Sequence, residues 1–139
     1  MGTINHVAVW IAGIAHFMLG AAWYTMLGKS WMTGIGKTEA QLMAEHGDSP
    51  LPYIIAIVAA LVVAYAIAWL LPKLGAQTAA SGAKAGIVLA LAFIGSTLAM
   101  NYGFEMRPVS LWLINAGYMT VGMAVMGGII GGWKKRAAE

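Results

Sequence analysis

The chain has 139 residues, of which 60% are hydrophobic and only 9% are charged, and its formal net charge is +3. A water-soluble domain carries roughly a quarter of its residues as Asp, Glu, Lys and Arg, so the composition excludes a globular surface that faces water all round. There is no cysteine, which excludes disulfides, thiolate metal sites and cysteine nucleophiles. The length predicts a single membrane domain, residues 1–139, with lipid covering much of the apolar surface.

Four apolar stretches are each long enough for a membrane-spanning helix, which needs about 20 mostly apolar residues. The first is predicted over about residues 5–27. No Lys or Arg precedes it and its apolar core is long, so it is not a cleavable signal peptide. The second, about 51–71, contains no charge and is bounded by prolines, which interrupt helices. The third covers about 85–104 and the fourth about 109–133.

The loop over residues 28–50 joins the first two spans and is predicted to hold a short helix over 38–46. Thr38 and Gln41 fit a capping box, in which each side chain satisfies a backbone N–H of the other residue. Two placements of this helix remain open, on the membrane surface or in a solvated loop. Only residues 105–108 separate the third and fourth spans, which must therefore form an antiparallel hairpin.

Positive charges predict the orientation. With four spans, both termini share one side with the loop between spans two and three, and that side carries five basic residues: Lys73, Lys84, Lys134, Lys135 and Arg136. The opposite side carries three: Lys29, Lys37 and Arg107. The positive-inside rule places both termini in the cytoplasm of a multi-pass cell-membrane protein, the inner membrane in a bacterium. We interpret the basic tail as an anchor to anionic lipid, and we expect no nucleic-acid partner.

Two groups of residues carry a resemblance to a known family. The first is Leu-Gly-Ala-Ala-Trp-Tyr at 19–24 with Leu-Gly-Lys-Ser-Trp at 27–31. The second is Glu-Met-Arg-Pro at 105–108, followed by Leu-Trp-Leu-Ile-Asn at 111–115 and Gly-Tyr at 117–118. In this order the chain resembles, over essentially its whole length, the domain of unknown function 1761 family, small four-span membrane proteins found mainly in bacteria. The resemblance implies a bundle of four transmembrane helices and no settled activity, so it gives no residue a catalytic role.

His16 lies near the middle of the first span, where an ionisable side chain is costly and usually faces a bundle interior or a water-filled cavity. Its helical face carries small residues, among them Ala12 and Gly20, and we expect that face to be buried in protein. Two roles remain open. A histidine there can relay protons or bind a cation, or it can stay neutral and hydrogen-bond to a neighbouring helix.

Polar residues from three spans form the candidate intramembrane polar site: His16, Asn101, Asn115 and Tyr118. The amide of Asn115 must find partners in hydrocarbon, and pairing with a neighbouring helix is the interpretation we favour.

A second candidate site is a vestibule at the outer surface, formed by Tyr24, Glu105 and Arg107, with the last two as fixed charges. The predicted topology brings Lys29 and Trp31 to the same side. The alternative is that aromatic side chains anchor the membrane interface and that the charges complement helix ends.

Span four ends in two overlapping Gly-x-x-x-Gly pairs that predict close helix packing: Gly127 with Gly131, and Gly128 with Gly132. They serve either packing within one chain or a homodimer. Three methionines also share one face of this span: Met119, Met123 and Met126. Thioethers suit Cu(I), but neither terminal segment carries a metal-collecting Met or His cluster. We therefore interpret these methionines as packing residues and predict no metal and no other cofactor.

Two functions remain open. We predict no enzyme, because the sequence lacks His-x-x-x-His, paired intramembrane carboxylates, Gly-x-Ser-x-Gly and a phosphate-binding loop. The first function is a small-solute or ion transporter or channel subunit that acts as a homo-oligomer, preferably a dimer, with His16 at the midplane. The second is a non-transporting membrane component that binds lipid or a partner protein. His16→Ala separates them, since it should abolish flux in the first case and destabilise the bundle or change nothing in the second.

Overall fold

A computed structural model describes residues 3–133, and every regular element in that range is helical. The helices, in chain order, are α1 (His6–Met26), α2 (Gly28–Ile35), α3 (Glu39–His46), α4 (Leu51–Leu70), α5 (Ala79–Phe104) and α6 (Val109–Gly132). Among the described residues, four helices are long and apolar enough to cross a membrane: α1, α4, α5 and α6. The prediction of an all-α fold with four apolar spans is therefore confirmed.

The predicted orientation depends partly on residues outside this range. Lys134, Lys135 and Arg136, three of the five basic residues on the side with the termini, lie outside the described residues. The cytoplasmic location of both termini therefore stays a prediction.

The bundle has two halves along its helices. We call the half in which α1 begins and α6 ends the terminal half, and the opposite half, which carries α2 and α3, the loop half.

The loop between the first two spans contains one more helix than the sequence predicted. α1 begins after Asn5, whose side-chain oxygen accepts a hydrogen bond from the N–H of Ala8 at 3.2 Å. The chain bends at Leu27 and continues as α2, which ends at Gly36 in a left-handed conformation (φ 71°). Gly34 brings α2 against Leu111 of α6, since a Cβ there would lie 3.0 Å from the Leu111 Cβ. α2 is thereby joined to the loop half of the bundle.

The short helix predicted over residues 38–46 forms as α3, with Thr38 as its N-cap. The Thr38 N–H donates to the Gln41 side-chain oxygen at 2.8 Å, and the Gln41 N–H donates to the Thr38 hydroxyl at 3.2 Å. An ion pair between Lys37 and Glu45 adds a contact along the outside of the helix. Local sequence signals therefore determine this element.

The third span begins six residues before the predicted start at about residue 85. Its N-cap is Thr78, which forms a second capping box with Ser81. Lys84, which precedes the predicted start, lies within the helix and is exposed. A lysine near the end of a span is tolerated because its long side chain can carry the ammonium towards the interface.

The middle of α5 is wound as a π-helix over Ala90–Gly95. Such wide turns interrupt the regular series of backbone hydrogen bonds. Here side chains donate hydrogen bonds to backbone carbonyls of the π-helix. The hydroxyls of Ser96 and Thr97 each donate to the carbonyl four residues earlier. The indole N–H of Trp112 in α6 donates to the Gly95 carbonyl at 2.8 Å. The π-helix separates the terminal half of α5 from its loop half.

In the terminal half, α5 and α6 approach so closely that their backbones touch. A Cβ on Gly82 would overlap the carbonyl oxygen of Gly127, and a Cβ on Gly127 would overlap that of Gly82. Gly86 lies in the same way on the Met123 carbonyl, and Gly131 on the Thr78 carbonyl. Gly128 and Gly132 lie against alanines of α5. Both glycine pairs therefore contribute to packing within the chain.

The core of the bundle lies beside this contact and is built from small and medium apolar side chains. Its buried members include Val9, Ala12, Ala64, Ile67, Met123 and Met126. Met119 is partly buried and packs against the same cluster. The three methionines thus pack in the interior, as their interpretation as packing residues requires.

Candidate functional site

His16 is buried in the bundle, with 4% of its surface exposed. Its ring stacks on Tyr118 of α6, with centroids 4.6 Å apart and planes inclined by 20°. The ring also presses on Gly122 of the same helix, where a Cβ would overlap Nδ1. Nδ1 has no hydrogen-bond partner among residues 3–133. His16 is therefore held by ring contacts, and the burial expected for its helical face is confirmed.

The Tyr118 hydroxyl links the same two helices. It donates to the backbone carbonyl of His16 at 3.1 Å. Gly20 makes this possible, because a Cβ there would lie only 2.8 Å from the hydroxyl oxygen. Gly20 and Gly122 therefore leave the space that the Tyr118 hydroxyl and the His16 ring occupy.

A second set of hydrogen bonds runs through Asn115 nearer the loops. Its side-chain oxygen accepts from the Tyr24 hydroxyl at 2.7 Å, and its side-chain nitrogen donates to the Tyr102 hydroxyl at 2.8 Å. The indole N–H of Trp23 donates to the Ile114 carbonyl at 3.0 Å. The amide of Asn115 thus finds the interhelical partners that its burial in hydrocarbon requires.

The structure divides the predicted intramembrane polar site. His16 and Tyr118 are in contact, and Asn115 joins Tyr24 and Tyr102. Asn101 does not belong to either group, since its side chain is exposed. Its neighbour Tyr102, which follows the π-helix on α5, bonds to Asn115 instead. Sequence reasoning missed Tyr102.

The predicted vestibule is also divided. Glu105 and Arg107 pair with each other in the turn between α5 and α6. The Arg107 guanidinium lies 5.8 Å from the ring centroid of Tyr102. Arg107 lies next to Tyr102, Tyr102 accepts a hydrogen bond from Asn115, and Asn115 accepts one from Tyr24.

Tyr24 instead lines a groove between α1, α2 and α4, in the loop half, with a volume of about 780 Å³. Tyr118 and Gly20 lie where the groove comes nearest to His16. Its apolar lining includes Phe17, Ala21 and Ala56, and its charged lining residues are Lys29 and Glu39, near the loops. Tyr24, Lys29 and Trp31, which the predicted topology brings to the same side, all line this groove, but α2, which forms one of its walls, was not predicted.

Residues 7–131 match the model of a family described as a protein of unknown function, DUF1761. No curated protein and no solved structure matches the chain. The family match confirms the resemblance carried by the Trp-Tyr and Glu-Met-Arg-Pro segments.

Proposed function

The chain belongs to the DUF1761 family of proteins of unknown function, and we propose that it is a small-solute transporter of the cell membrane. The observation that supports this function is the groove, which leads from Lys29 and Glu39 to Tyr118, the residue stacked on the buried His16. A solute in the groove is therefore separated from a titratable side chain by one aromatic ring.

The dimensions and lining of the groove suit a small amphipathic molecule. Ligand sites in proteins typically have volumes of about 300–1,000 Å³, with mostly apolar walls and a few polar groups that orient the ligand. The groove, at about 780 Å³, falls in this range and combines apolar walls with hydroxyl groups. With the termini in the cytoplasm, as proposed from the charges, the groove belongs to the outer half of the bundle and serves as the outer substrate site.

Movement of the solute across the membrane requires a step beyond Tyr118. We assign that step to a displacement of the Tyr118 ring, which would bring the solute to His16, whose Nδ1 has no hydrogen-bond partner among residues 3–133. A homo-oligomer, preferably a dimer, would complete the pathway. Its interface lies away from the glycine face of α6, because those glycines already pack on α5.

The packing of His16 favours a second candidate function. Its Nδ1 is pressed on Gly122, and its ring stacks on Tyr118, as expected of a histidine that holds two helices together. The protein would then bind a lipid or another amphiphile in the groove without transporting it.

Native mass spectrometry of the purified protein, released from a mild detergent, tests the binding common to both functions. We expect one small molecule per chain in the wild type and in Ala66→Trp, whose site is exposed on α4 outside the groove lining. Ala56→Trp places an indole inside the groove and should remove the molecule. Bulk lipid alone, or a molecule retained in Ala56→Trp, would contradict the proposal.

Uptake of that molecule into proteoliposomes then separates transport from binding alone. We expect His16→Ala to abolish uptake while the oligomer and the bound molecule are retained. Binding without uptake in the wild type would establish the second candidate function.

A further inference from the structure

The chemistry of the groove lining indicates one class of solute. We propose that the groove between α1, α2 and α4 selects a small organic cation, an ammonium group carried on an apolar body. This inference rests on the proposed function in one respect, that the groove is the binding site. It holds whether the bound molecule is transported or not.

Three of the four hydroxyl groups that line the groove have already used their protons, and the fourth belongs to Tyr53, an exposed side chain at the start of α4. The Tyr24 hydroxyl donates to Asn115, the Tyr118 hydroxyl to the His16 carbonyl, and the Thr25 hydroxyl to the Ala21 carbonyl at 2.6 Å. A hydroxyl has a single proton to donate, and after donating it offers only lone pairs. The three oxygens can therefore only accept hydrogen bonds from a solute, which must bring its own donor.

The aromatic rings that line the groove add the same preference. Tyr24 meets Trp31 edge to face, with centroids 6.0 Å apart, and it meets Tyr118 in the same way at 5.4 Å. The faces of such rings carry negative charge density and attract ammonium groups, most strongly where water is excluded. An anion beside the oxygens of Tyr24, Tyr118 and Thr25 would meet their lone pairs, which repel it.

The two charged lining residues offset each other. Glu39 and Lys29 both lie at the loop end of the groove. Between described residues, the ion pairs are Lys37 with Glu45 and Glu105 with Arg107, so neither lining charge is paired within residues 3–133. Lys29 favours an anion and Glu39 favours a cation, and the acceptor oxygens and ring faces deeper in the groove therefore decide the selectivity.

Three probes with the same apolar chain and different head groups test the selectivity: octylammonium, octanoate and octanol. Their binding to the full chain in phosphatidylcholine nanodiscs is measured by isothermal titration calorimetry, with empty nanodiscs as the blank. We expect octylammonium to bind about tenfold more tightly than octanol, the increment typical of a partly desolvated ammonium on aromatic rings. Octanoate should bind more weakly than octanol.

Conservative variants link the binding to the groove. Thr25→Val keeps the shape of the side chain and removes one acceptor oxygen, so octylammonium should bind several-fold more weakly. Octanol should be affected less, because its hydroxyl donates a weaker, uncharged hydrogen bond. Thr33→Val is the matched control, because its hydroxyl makes the same bond to the carbonyl four residues earlier but lies outside the groove. Lys29→Gln should leave octylammonium binding unchanged or strengthen it.

Two contrary outcomes would overturn the inference alone, and a third would overturn the proposed function as well. If octanoate bound most tightly and Lys29→Gln abolished its binding, the groove would be an anion site and the inference would be wrong. Equal binding of octanol and octylammonium would show that the groove recognises shape alone, which also overturns it. If none of the three probes bound to the wild type, the groove would not be a binding site, and the proposed function itself would fail.

Discussion

α5 and α6 are joined in two different ways at their two ends. In the terminal half their backbones touch, with Gly82 on Gly127 and Gly86 on Met123. In the loop half they are joined through side chains, by the hydrogen bonds of Asn115 with Tyr102 and of Trp112 with the Gly95 carbonyl. Lipid provides no hydrophobic driving force between helices, so close packing and hydrogen bonds are the available sources of association.

The groove lies in the loop half too, between α1, α2 and α4 rather than between α5 and α6. In the terminal half, backbone contact leaves no space between α5 and α6, and the glycines that permit it exclude any larger side chain. In the loop half, α6 is joined to its neighbours through polar and aromatic side chains, of which Tyr24 and Tyr118 also line the groove. The terminal half therefore stabilises the fold, and the loop half, where Tyr24 and Tyr118 line the groove, provides the binding site that we propose.

The largest expected effect would come from Gly82→Ala, which removes the backbone contact of the terminal half. The added Cβ would overlap the Gly127 carbonyl, so α5 and α6 must separate, and we expect a loss of about 3 kcal/mol of stability. Gly103→Ala is the matched control on the same helix, because a Cβ there meets open space. Unfolding followed by circular dichroism in mixed micelles measures both. Equal effects of the two substitutions would contradict the distinction between the halves.

A smaller effect is expected from Asn115→Ala in the loop half. The substitution leaves two tyrosine hydroxyls without their partner, and interhelical hydrogen bonds in membranes contribute about 0.6 kcal/mol each on average. We expect the free energy of unfolding to fall by about 1 kcal/mol in total. A double-mutant cycle with Tyr24→Phe should show coupling between the two residues, whereas Tyr53→Phe, on an exposed side chain of α4, should show none.

Met106→Gly should stabilise the loop half slightly. Met106 lies in the turn between α5 and α6 with φ 54°, a left-handed conformation that costs a non-glycine residue about 1 kcal/mol. Its side chain is 90% exposed, so little packing is lost with it. We expect a gain of about 0.5–1 kcal/mol in the same unfolding assay. A loss of stability would mean that the Met106 side chain makes a stabilising contact in the folded protein.

The smallest expected effect comes from the ion pair between Lys37 and Glu45, in the loop between α1 and α4. A hydrogen bond from Lys37, reinforced by its charge, lowers the pKa of Glu45 below its ordinary value of 4.5. Because the pKa is lowered in the folded state, the pair contributes fully above pH 4.5 and its contribution is lost as the pH falls through the lowered pKa. NMR titration of the Glu45 carboxyl should give a lower pKa in the wild type than in Lys37→Gln. An equal pKa in the two proteins would show that the ion pair does not form in solution.

The parts of the fold that the sequence predicted are those determined by local signals. Span lengths, the capping box of Thr38 with Gln41, and the glycine pairs of α6 can each be recognised within a short stretch of chain. α2 was missed because it is only eight residues long, contains glycines, and packs on Leu111, far away in the sequence. Its stability depends on a tertiary contact that no local pattern reveals.

The candidate site was predicted less completely, for a related reason. The burial of His16 follows from its position in a span, but its partners follow from how helices are rotated against one another. Tyr24 and Asn115 are 91 residues apart in the chain, and Tyr118 and His16 are 102 apart. α5 also contains a π-helix, which a regular helical periodicity does not predict, and after it Tyr102 rather than Asn101 bonds to Asn115.

Hydrogen–deuterium exchange of the protein in nanodiscs, with and without octylammonium, tests the division between the two halves most directly. We predict that the probe slows exchange in α2 and in the part of α1 that lines the groove, and leaves the terminal halves of α5 and α6 unchanged. Protection centred on the glycine contact, or spread evenly over all four spans, would contradict the assignment of binding to the loop half.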